Sequence, residues 1–249
     1  MKFFLSIVAL GVLAVSAQAQ TARPAQTFQT SAGPVKITPV FHASVLVEGG
    51  GKVIYVDPAK PANFAGLPSA DLILITHEHG DHVDQDQTSI KAVSKAGTQV
   101  WVPQAVTKIV TTASVISNGE SKKFDNWTIE AVPAYNLVRG PSEGRFYHPK
   151  GMYNGYVLTY GDKRFYFSGD TEGVPEMRAL KNIEAAFVCM NLPYTMTAEE
   201  AADAVLAFHP RVIIPYHFRS NPPTDLSAFR QKLASTGIEV RQVEIYPAN

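Results

Sequence analysis

Short apolar runs that end in polar, turn-forming residues recur along this chain. Residues 72–76 are apolar or β-branched and predict a buried strand. Further strand-like runs and several runs with helical spacing follow the same plan in both halves of the chain. The strands are predicted at 35–41, 44–48, 53–56, 127–132, 164–167, 185–189, 212–215 and 239–245, and the helices at 85–96, 174–180, 197–208 and 226–234. The pattern predicts an α/β fold, a four-layer αββα sandwich of two mixed β-sheets with helices outside.

Length and charge fit a single globular domain. The chain has 249 residues, of which 45% are hydrophobic and 18% charged, enough for one full α/β core. Twenty-two basic residues balance twenty-two acidic ones, and they are scattered, which argues against nucleic acid as a partner. A small molecule is the expected partner, and the oligomeric state is left open.

The N-terminus has the three parts of a secretory signal peptide. Lys2 precedes an apolar run at 3–15, and Ala17 and Ala19 form a small-x-small cleavage site. We expect cleavage after residue 19 and a periplasmic or secreted protein with no stable membrane span, the alternative being an uncleaved anchor. Residues 20–34 predict a flexible lead-in, so the folded domain is expected at 35–249.

One cysteine is present, Cys189, in an apolar run. An intramolecular disulfide is therefore impossible, and the residue is expected to be a small core hydrophobe.

Four potential metal ligands follow the strand at 72–76 within six positions. They are His77, His79, Asp81 and His82. Neutral imidazole and carboxylate are the usual ligands of zinc and its neighbours in the first transition series. The i, i+2 spacing of the first two histidines aims both rings one way, and Gly80 permits a turn toward a second position. Two adjacent metals are the natural interpretation, against the alternative of a polar surface turn.

This stretch resembles the signature Thr-His-x-His-x-Asp-His of the metallo-β-lactamase-fold hydrolases. The resemblance implies that His77 and His79 hold one metal and that Asp81 and His82 hold the second. It also implies that Asp170, in a Gly-Asp-Thr motif after an apolar strand, bridges both metals, and that His217 is the last ligand of the second. Two divalent ions are implied, with zinc expected and manganese, iron or nickel possible.

The chain departs from the family pattern at Asn136, where many members have a metal-binding histidine. His148 is favoured as the substitute ligand, and a substrate contact is the alternative for it. Tyr135, Asn136 and Lys150 are expected to contact substrate. Two other histidines are interpreted as structural: His42, inside the first β-rich stretch, and His209, at a helix end. The resemblance leaves open the alternative that His42 lines the site. Thr197 and Glu200 form a capping-box pattern at the start of a helix.

The resemblance implies a hydrolase that uses a metal-bound hydroxide on an ester-like bond, because a divalent cation lowers the pKa of bound water from 15.7 to about 7. Asp81 and Asp170 would orient that water and accept its proton. A phosphodiester, lactone or thioester is possible, and a β-lactam is an alternative. The sequence around residues 135–151 looks like the branch of the L-ascorbate-6-phosphate lactonase-like proteins. A secreted metal-binding module without catalysis is the alternative from another class.

Overall fold

Two seven-stranded β-sheets make up the centre of the structure, a computed structural model that describes residues 24–246. The first sheet contains, in spatial order, β1 Gln26–Thr30, β2 Gly33–Phe41, β3 Ser44–Gly49, β4 Lys52–Val56, β5 Ala70–Leu74, β6 Ser94–Val102 and β7 Ser114–Val115. The second contains β8 Ser121–Phe124, β9 Trp127–Ala134, β10 Tyr153–Tyr160, β11 Lys163–Phe167, β12 Ile183–Cys189, β13 Val212–Tyr216 and β14 Glu239–Val240. Each sheet begins with antiparallel strands and ends with parallel ones, so both are mixed, as predicted.

Helices flank the sheets. They are α1 Thr88–Val93, a 3-10 helix at Gln104–Lys108, α2 Pro175–Arg178, α3 Ala198–Phe208 and α4 Ser227–Leu233. α3 begins with the predicted capping box, in which the Thr197 hydroxyl accepts from the Glu200 amide and the Glu200 carboxylate accepts from the Thr197 amide. This layer order confirms the predicted sandwich.

Aromatic side chains fill the space between the sheets. Phe28 of the first sheet meets Phe165 of the second, with ring centroids 5.4 Å apart. Trp127 reaches across to donate a hydrogen bond to the Gly49 carbonyl at 3.2 Å. Burial of such rings is the main stabilising term for this core.

Strand direction determines where the chemistry lies. β2, β4 and β5 run the same way in the first sheet, as do β9, β11 and β13 in the second. Their carboxyl ends therefore meet at one edge of each sheet. Ligands of open α/β sheets gather at such edges, because the loops that follow parallel strands converge there.

Several predicted boundaries are wrong. The expected flexible lead-in is ordered from Gln26 onward, where β1 pairs antiparallel with β2, so the domain begins before residue 35. The helix expected at 85–96 is short, because residues 94–102 extend along β5 as β6. The strand expected at 239–245 ends at Val240.

The structure bears differently on the predicted signal peptide and on the question of a membrane-spanning helix. The signal peptide of residues 1–19 lies outside the described residues and stays a prediction. Among residues 24–246, no helix is both long enough and apolar enough to cross a bilayer.

The smaller predictions held. Cys189 is fully buried, its Sγ lies 3.4 Å from the Thr171 carbonyl oxygen, and burial raises the pKa of the thiol to about 12. His209 closes α3 with φ 47° and its Nε2 lies 3.0 Å from the Thr236 carbonyl oxygen, a structural role.

We expect Gly169→Ala to destabilise the fold strongly. Gly169 has φ +59°, and a Cβ there would lie 2.9 Å from both the Asn154 carbonyl oxygen and the Thr76 Cβ. Left-handed backbone strain and overpacking together predict a loss of about 2 to 5 kcal/mol in the free energy of unfolding. Denaturant unfolding in chelator measures it.

The matched control is Gly119→Ala. Gly119 also has a positive φ, +82°, but nothing lies within 4 Å of a Cβ built there. Only the backbone strain remains, about 1 to 2 kcal/mol. If both variants lose the same free energy of unfolding, the close packing around Gly169 does not contribute to stability.

Candidate metal centre

The loop after β5 carries the first group of candidate ligands into the interior. His77 and His82 are buried, and the side chain of His79 is partly exposed. The Nε2 atom of His77 lies 3.1 Å from the Nδ1 atom of His79. The other ring nitrogen of His77, Nδ1, is 3.0 Å from the Thr76 hydroxyl. With His79 protonated on its other ring nitrogen, the two facing nitrogens could both donate lone pairs to a shared cation.

His148 joins this group from a distant loop. The Nδ1 atom of its ring lies 2.8 Å from Asn136 Oδ1, an acceptor that also takes the His148 backbone N–H at 2.7 Å. The ring is therefore protonated on Nδ1, and Nε2 faces the cluster. His77, His79 and His148 form one group whose ligand atoms all lie within 4.8 Å of one another.

Asp170 lies between two sets of histidines. Its Oδ2 atom is 3.3 Å from Nε2 of His148 and 3.9 Å from Nε2 of His77. Its Oδ1 atom is 3.4 Å from Nε2 of His82 and 3.3 Å from Nε2 of His217. Each oxygen thus faces a different set, which is the geometry that a bridging carboxylate needs.

The second set gathers around Asp81. Nε2 of His82 and Nε2 of His217 lie 2.9 Å apart, and Asp81 Oδ2 is 3.2 Å from the latter. The structure thus brings together all seven residues predicted as ligands: His77, His79, Asp81, His82, His148, Asp170 and His217.

His42 was interpreted as structural, but the structure places it at this second set. Its Nε2 atom is 3.2 Å from Asp81 Oδ2, and its ring lies 4.0 Å, centroid to centroid, from that of His217. The Tyr246 hydroxyl donates to the Phe218 carbonyl and accepts from Nδ1 of His42, which leaves the Nε2 lone pair facing the carboxylate. A signal existed in the sequence: His42 directly follows β2, whose carboxyl end meets the same edge as that of β5.

Asp57 is a functional residue that the sequence reasoning missed. It is fully buried at the end of β4, and its Oδ2 atom accepts from Nδ1 of His82 and from the Thr76 hydroxyl, each at 2.7 Å. The carboxylate fixes the His82 tautomer so that Nε2 points at the site, as the outer partners of metal-binding histidines do. The signal would have been a carboxylate at the end of an apolar strand that neighbours the motif.

Glu172 was also missed, and it holds the loop that carries Asn136. Its buried carboxylate accepts from the backbone N–H groups of Leu137, Val138 and Arg139 at 2.9 to 3.0 Å. It also accepts from the Asn136 Nδ2 at 3.1 Å. The contacts form a chain from Glu172 through Asn136 to His148. The isolated sequence gave no signal for it beyond its place two residues after Asp170.

The three residues predicted to contact substrate lie elsewhere. Asn136 is buried and all four of its carboxamide hydrogen bonds are made within the protein, which leaves none for a substrate. Tyr135 is buried and donates its hydroxyl to Glu176 at 2.9 Å, and Lys150 lies over the Tyr135 ring at 4.9 Å. The cleft that reaches the metal ligands has a volume of about 370 Å³, and neither Tyr135 nor Lys150 lines it. Its lining residues are His79, Asp81, Tyr147, Asp170, Asn191 and Tyr194.

Burial and charge set the protonation of the ligands. Burial lowers the pKa of His77 well below its usual value and lowers that of His79, so both rings are neutral. Burial alone would raise the pKa of Asp170, but His217 and His82 hold it well below its usual range. Burial likewise opposes the charge on His82, yet Asp81, Asp57 and Asp170 together raise the pKa of that ring well above its usual value. The centre thus favours positive charge at the point where the carboxylates meet.

The donor set fits a pair of divalent cations. Among the described residues, His148 Nε2 and Asp170 Oδ1 are buried without a hydrogen-bond partner, and both face the clusters. Buried polar atoms are nearly always satisfied, so these two are explained by coordination to a cation. Imidazole and carboxylate ligands suit zinc, manganese, iron and nickel alike.

Comparison with known proteins identifies the family. The family model described as the beta-lactamase superfamily domain matches residues 36–217. A UPF0173 metal-dependent hydrolase of Thermus thermophilus is 30% identical over 217 residues, which cover 82% of this chain and 94% of the relative.

Solved structures support the same family. A protein of Parabacteroides distasonis assigned as a metal-dependent hydrolase is 38% identical, with a TM-score of 0.83 over 91% of this chain and 100% of the other. Igni18, a metallo hydrolase of Ignicoccus hospitalis, is 25% identical, with a TM-score of 0.69 over 86% of this chain and 96% of that one. The chain therefore belongs to the metallo-β-lactamase superfamily, a group of metal-dependent hydrolases, and has its fold.

Proposed function

We propose that this protein hydrolyses an ester-like bond of a small molecule with two divalent cations held across Asp170. The observation that carries the proposal is that the two oxygens of this one buried carboxylate face two separate histidine sets. His77, His79 and His148 would hold the first cation, and Asp81, His82 and His217 the second. When bound, such a pair acidifies water and polarises the bond under attack.

The protein's own groups supply orientation and a proton acceptor. Asp170 is 4% exposed and is fixed between the two sets, so its role is to position. The Asp81 side chain is 45% exposed and lines the cleft, with Oδ2 turned toward His42 and His217. Its Oδ1 atom is thereby left for a proton released by the attacking water.

The alternative of a metal-binding module without catalysis is motivated by Asn136, which stands where many members have a metal-binding histidine. The position of His148, with its ligand atom within 4.8 Å of those of His77 and His79, supports the dinuclear proposal instead. No feature of the cleft favours a β-lactam in particular. Zinc is the expected metal within this proposal, and the choice among zinc, manganese, iron and nickel depends on supply.

Hydrolysis that depends on the metals tests the function. We expect the purified protein to cleave p-nitrophenyl acetate or bis(p-nitrophenyl) phosphate, because acidified water attacks either bond. A chelator should abolish turnover and added zinc or manganese should restore it. Asp170→Asn should lower kcat at least about 100-fold, because an amide cannot bridge the two cations as a carboxylate does. Turnover that survives the chelator, or no turnover across ester, lactone and phosphodiester substrates, would contradict the proposal.

Metal content tests the ligand assignment. Elemental mass spectrometry should find two metals per chain in the wild type, falling toward one in His148→Ala, because the first site is left with two imidazoles and the bridge. The matched control is His209→Asn, which changes a histidine outside both sets at a position with positive φ that Asn tolerates. Two metals in His148→Ala would remove this residue from the metal shell.

Asn136→Leu tests the support behind His148. Loss of the acceptor for the Nδ1–H of His148 frees the ring, and we expect affinity for the first metal to fall by about 10- to 100-fold while the second is retained. Titration with zinc against a competing chelator measures both sites. Tyr135→Phe is the control, since it removes only the hydrogen bond to Glu176. An unchanged first site in Asn136→Leu would mean that packing alone orients His148.

A further inference from the structure

A third imidazole, that of His42, stands among the groups that the proposed function assigns to the second cation. Nε2 of His42 and Nε2 of His217 each lie 3.2 Å from the same oxygen of Asp81, Oδ2. The ligand atoms of these three residues all lie within 4.8 Å of one another. Two donors that bind one cation at about 2.0 to 2.2 Å are themselves about 3 to 4 Å apart. The observed separations therefore suit a cation that all three residues share.

The backbone directs His42 toward the centre from the carboxyl end of β2. Its φ is 53°, in the left-handed region, and Asp57 and His217, which also follow strands, have φ values of 48° and 46°. The His42 N–H donates to the Ile245 carbonyl at 2.9 Å, and its carbonyl accepts from the His217 N–H at 3.3 Å. Residues in such conformations persist where the surrounding structure fixes them, and they cluster at functional sites. His42 thus shares its backbone geometry with two residues of the centre.

Tyr246 determines which nitrogen of His42 carries the proton. The tyrosine hydroxyl has one proton and contacts the Phe218 carbonyl, which can only accept, so the hydroxyl donates to that carbonyl. The hydroxyl oxygen then accepts from Nδ1 of His42. Nδ1 therefore carries the proton, and Nε2 of the neutral ring has a free lone pair. A metal-binding histidine has the same arrangement, with its other nitrogen held by an outer partner.

Two electron-rich atoms face each other at this point, Nε2 of His42 and Oδ2 of Asp81. The His42 side chain is only 16% exposed, and its ring lies 4.0 Å from that of His217, centroid to centroid, so burial favours the neutral ring. A divalent cation at Asp81 would favour it further, because metal binding displaces protons from imidazole ligands. A cation shared by the two atoms replaces their mutual repulsion with two favourable contacts.

We infer that His42 is a third imidazole ligand of the second cation, beside His82 and His217, and that Tyr246 is its positioning residue. The inference rests on the proposed function, since it needs a cation at the second set. It goes beyond that function by adding a metal ligand to those assigned there.

The added ligand makes the two sets unequal. The second set then offers three imidazoles and two carboxylates, whereas the first offers three imidazoles and one carboxylate, with Asp170 counted in both. Catalytic metals keep a position open for substrate, and structural sites are closed by protein ligands. Of the six histidines around the two sets, only His79, in the first set, lines the cleft. The first cation would therefore keep the more open shell, on the side that the cleft reaches.

Nuclear magnetic resonance of the protein loaded with ¹¹³Cd²⁺ and labelled with ¹⁵N-histidine tests the ligand directly. Cadmium stands in for zinc, because both are d¹⁰ cations that accept imidazole and carboxylate ligands. Splitting of a ¹¹³Cd signal by ¹⁵N reports a direct bond, so the multiplicity counts the imidazoles on each cation. We expect two signals, each split by three nitrogens. The nitrogens belong to His77, His79 and His148 on the first cation, and to His42, His82 and His217 on the second.

Variants assign the two signals. His42→Asn should leave the second signal split by two nitrogens and move it upfield, because oxygen donors shield cadmium more than nitrogen donors do. Asn is suited to the left-handed φ of this position. His148→Asn should reduce the splitting of the first signal in the same way. His209→Asn, which also replaces a histidine of positive φ, is the matched control and should keep both signals unchanged.

Tyr246→Phe tests the positioning role. The ring of His42 loses the partner of its Nδ1–H but remains present, so the second signal should still be split by three nitrogens. A cadmium titration against a competing chelator should show an affinity about 10- to 100-fold lower at the second site and unchanged at the first. Wild-type affinity at both sites would remove Tyr246 as the positioning residue.

The wild-type spectrum decides the main point even where a variant does not fold. A second signal split by two nitrogens overturns the inference and leaves the dinuclear proposal standing. A splitting by three that survives in His42→Asn does the same. Fewer than two bound cadmium ions per chain would contradict the proposed function, and this inference with it.

Discussion

One buried carboxylate, Asp170, imposes the constraint on which the rest of the centre depends. A charge taken out of water costs several kcal/mol unless opposite charge surrounds it. Here Oδ1 faces His217 and His82, whose pKa is raised, while Oδ2 faces the neutral ring of His77 and the unprotonated Nε2 of His148, where a bound cation would compensate the charge. The carboxylate is therefore stabilised only when the two sheets pack so that their ligand-bearing strand ends lie next to each other.

Other buried acids hold the histidines in place. Asp57 fixes His82 directly, and Glu172 acts on His148 through Asn136. Each of these carboxylates accepts backbone N–H groups, which offsets its own desolvation. His82 and His148 consequently have one nitrogen hydrogen-bonded to the protein and one facing the centre, as ligands that bind metal tightly require.

Most of the candidate metal ligands and the exposed apolar side chains come from different parts of the molecule. Strand ends supply the candidate ligands other than His148, which lies in the loop before β10, on a frame shared with the wider superfamily. The segments at 137–152 and 192–194 supply the exposed apolar side chains and lie outside the strands. Loops on a rigid scaffold are where related proteins acquire different substrates. The lactonase-like branch suggested by the sequence stays a prediction.

The sequence by itself determined the sandwich, the capping box of α3 and the dense group of ligands from His77 to His82, because each depends on periodicity or spacing within a short stretch. Resemblance to the family extended this to Asp170 and His217. Only the tertiary structure decided that Asn136 supports His148 and has no hydrogen bond left for a substrate, and that His42 and Asp57 belong to the centre. The physical reason is that these roles depend on strand direction and pairing. β2, β4 and β5 run the same way, so residues 42, 57 and 77 meet at one edge, although residues 42 and 57 are 15 positions apart along the chain and residues 57 and 77 are 20 apart. The formation of β1 likewise depends on strand pairing, because the polar segment at residues 26–30 becomes a strand by pairing with the free edge of β2.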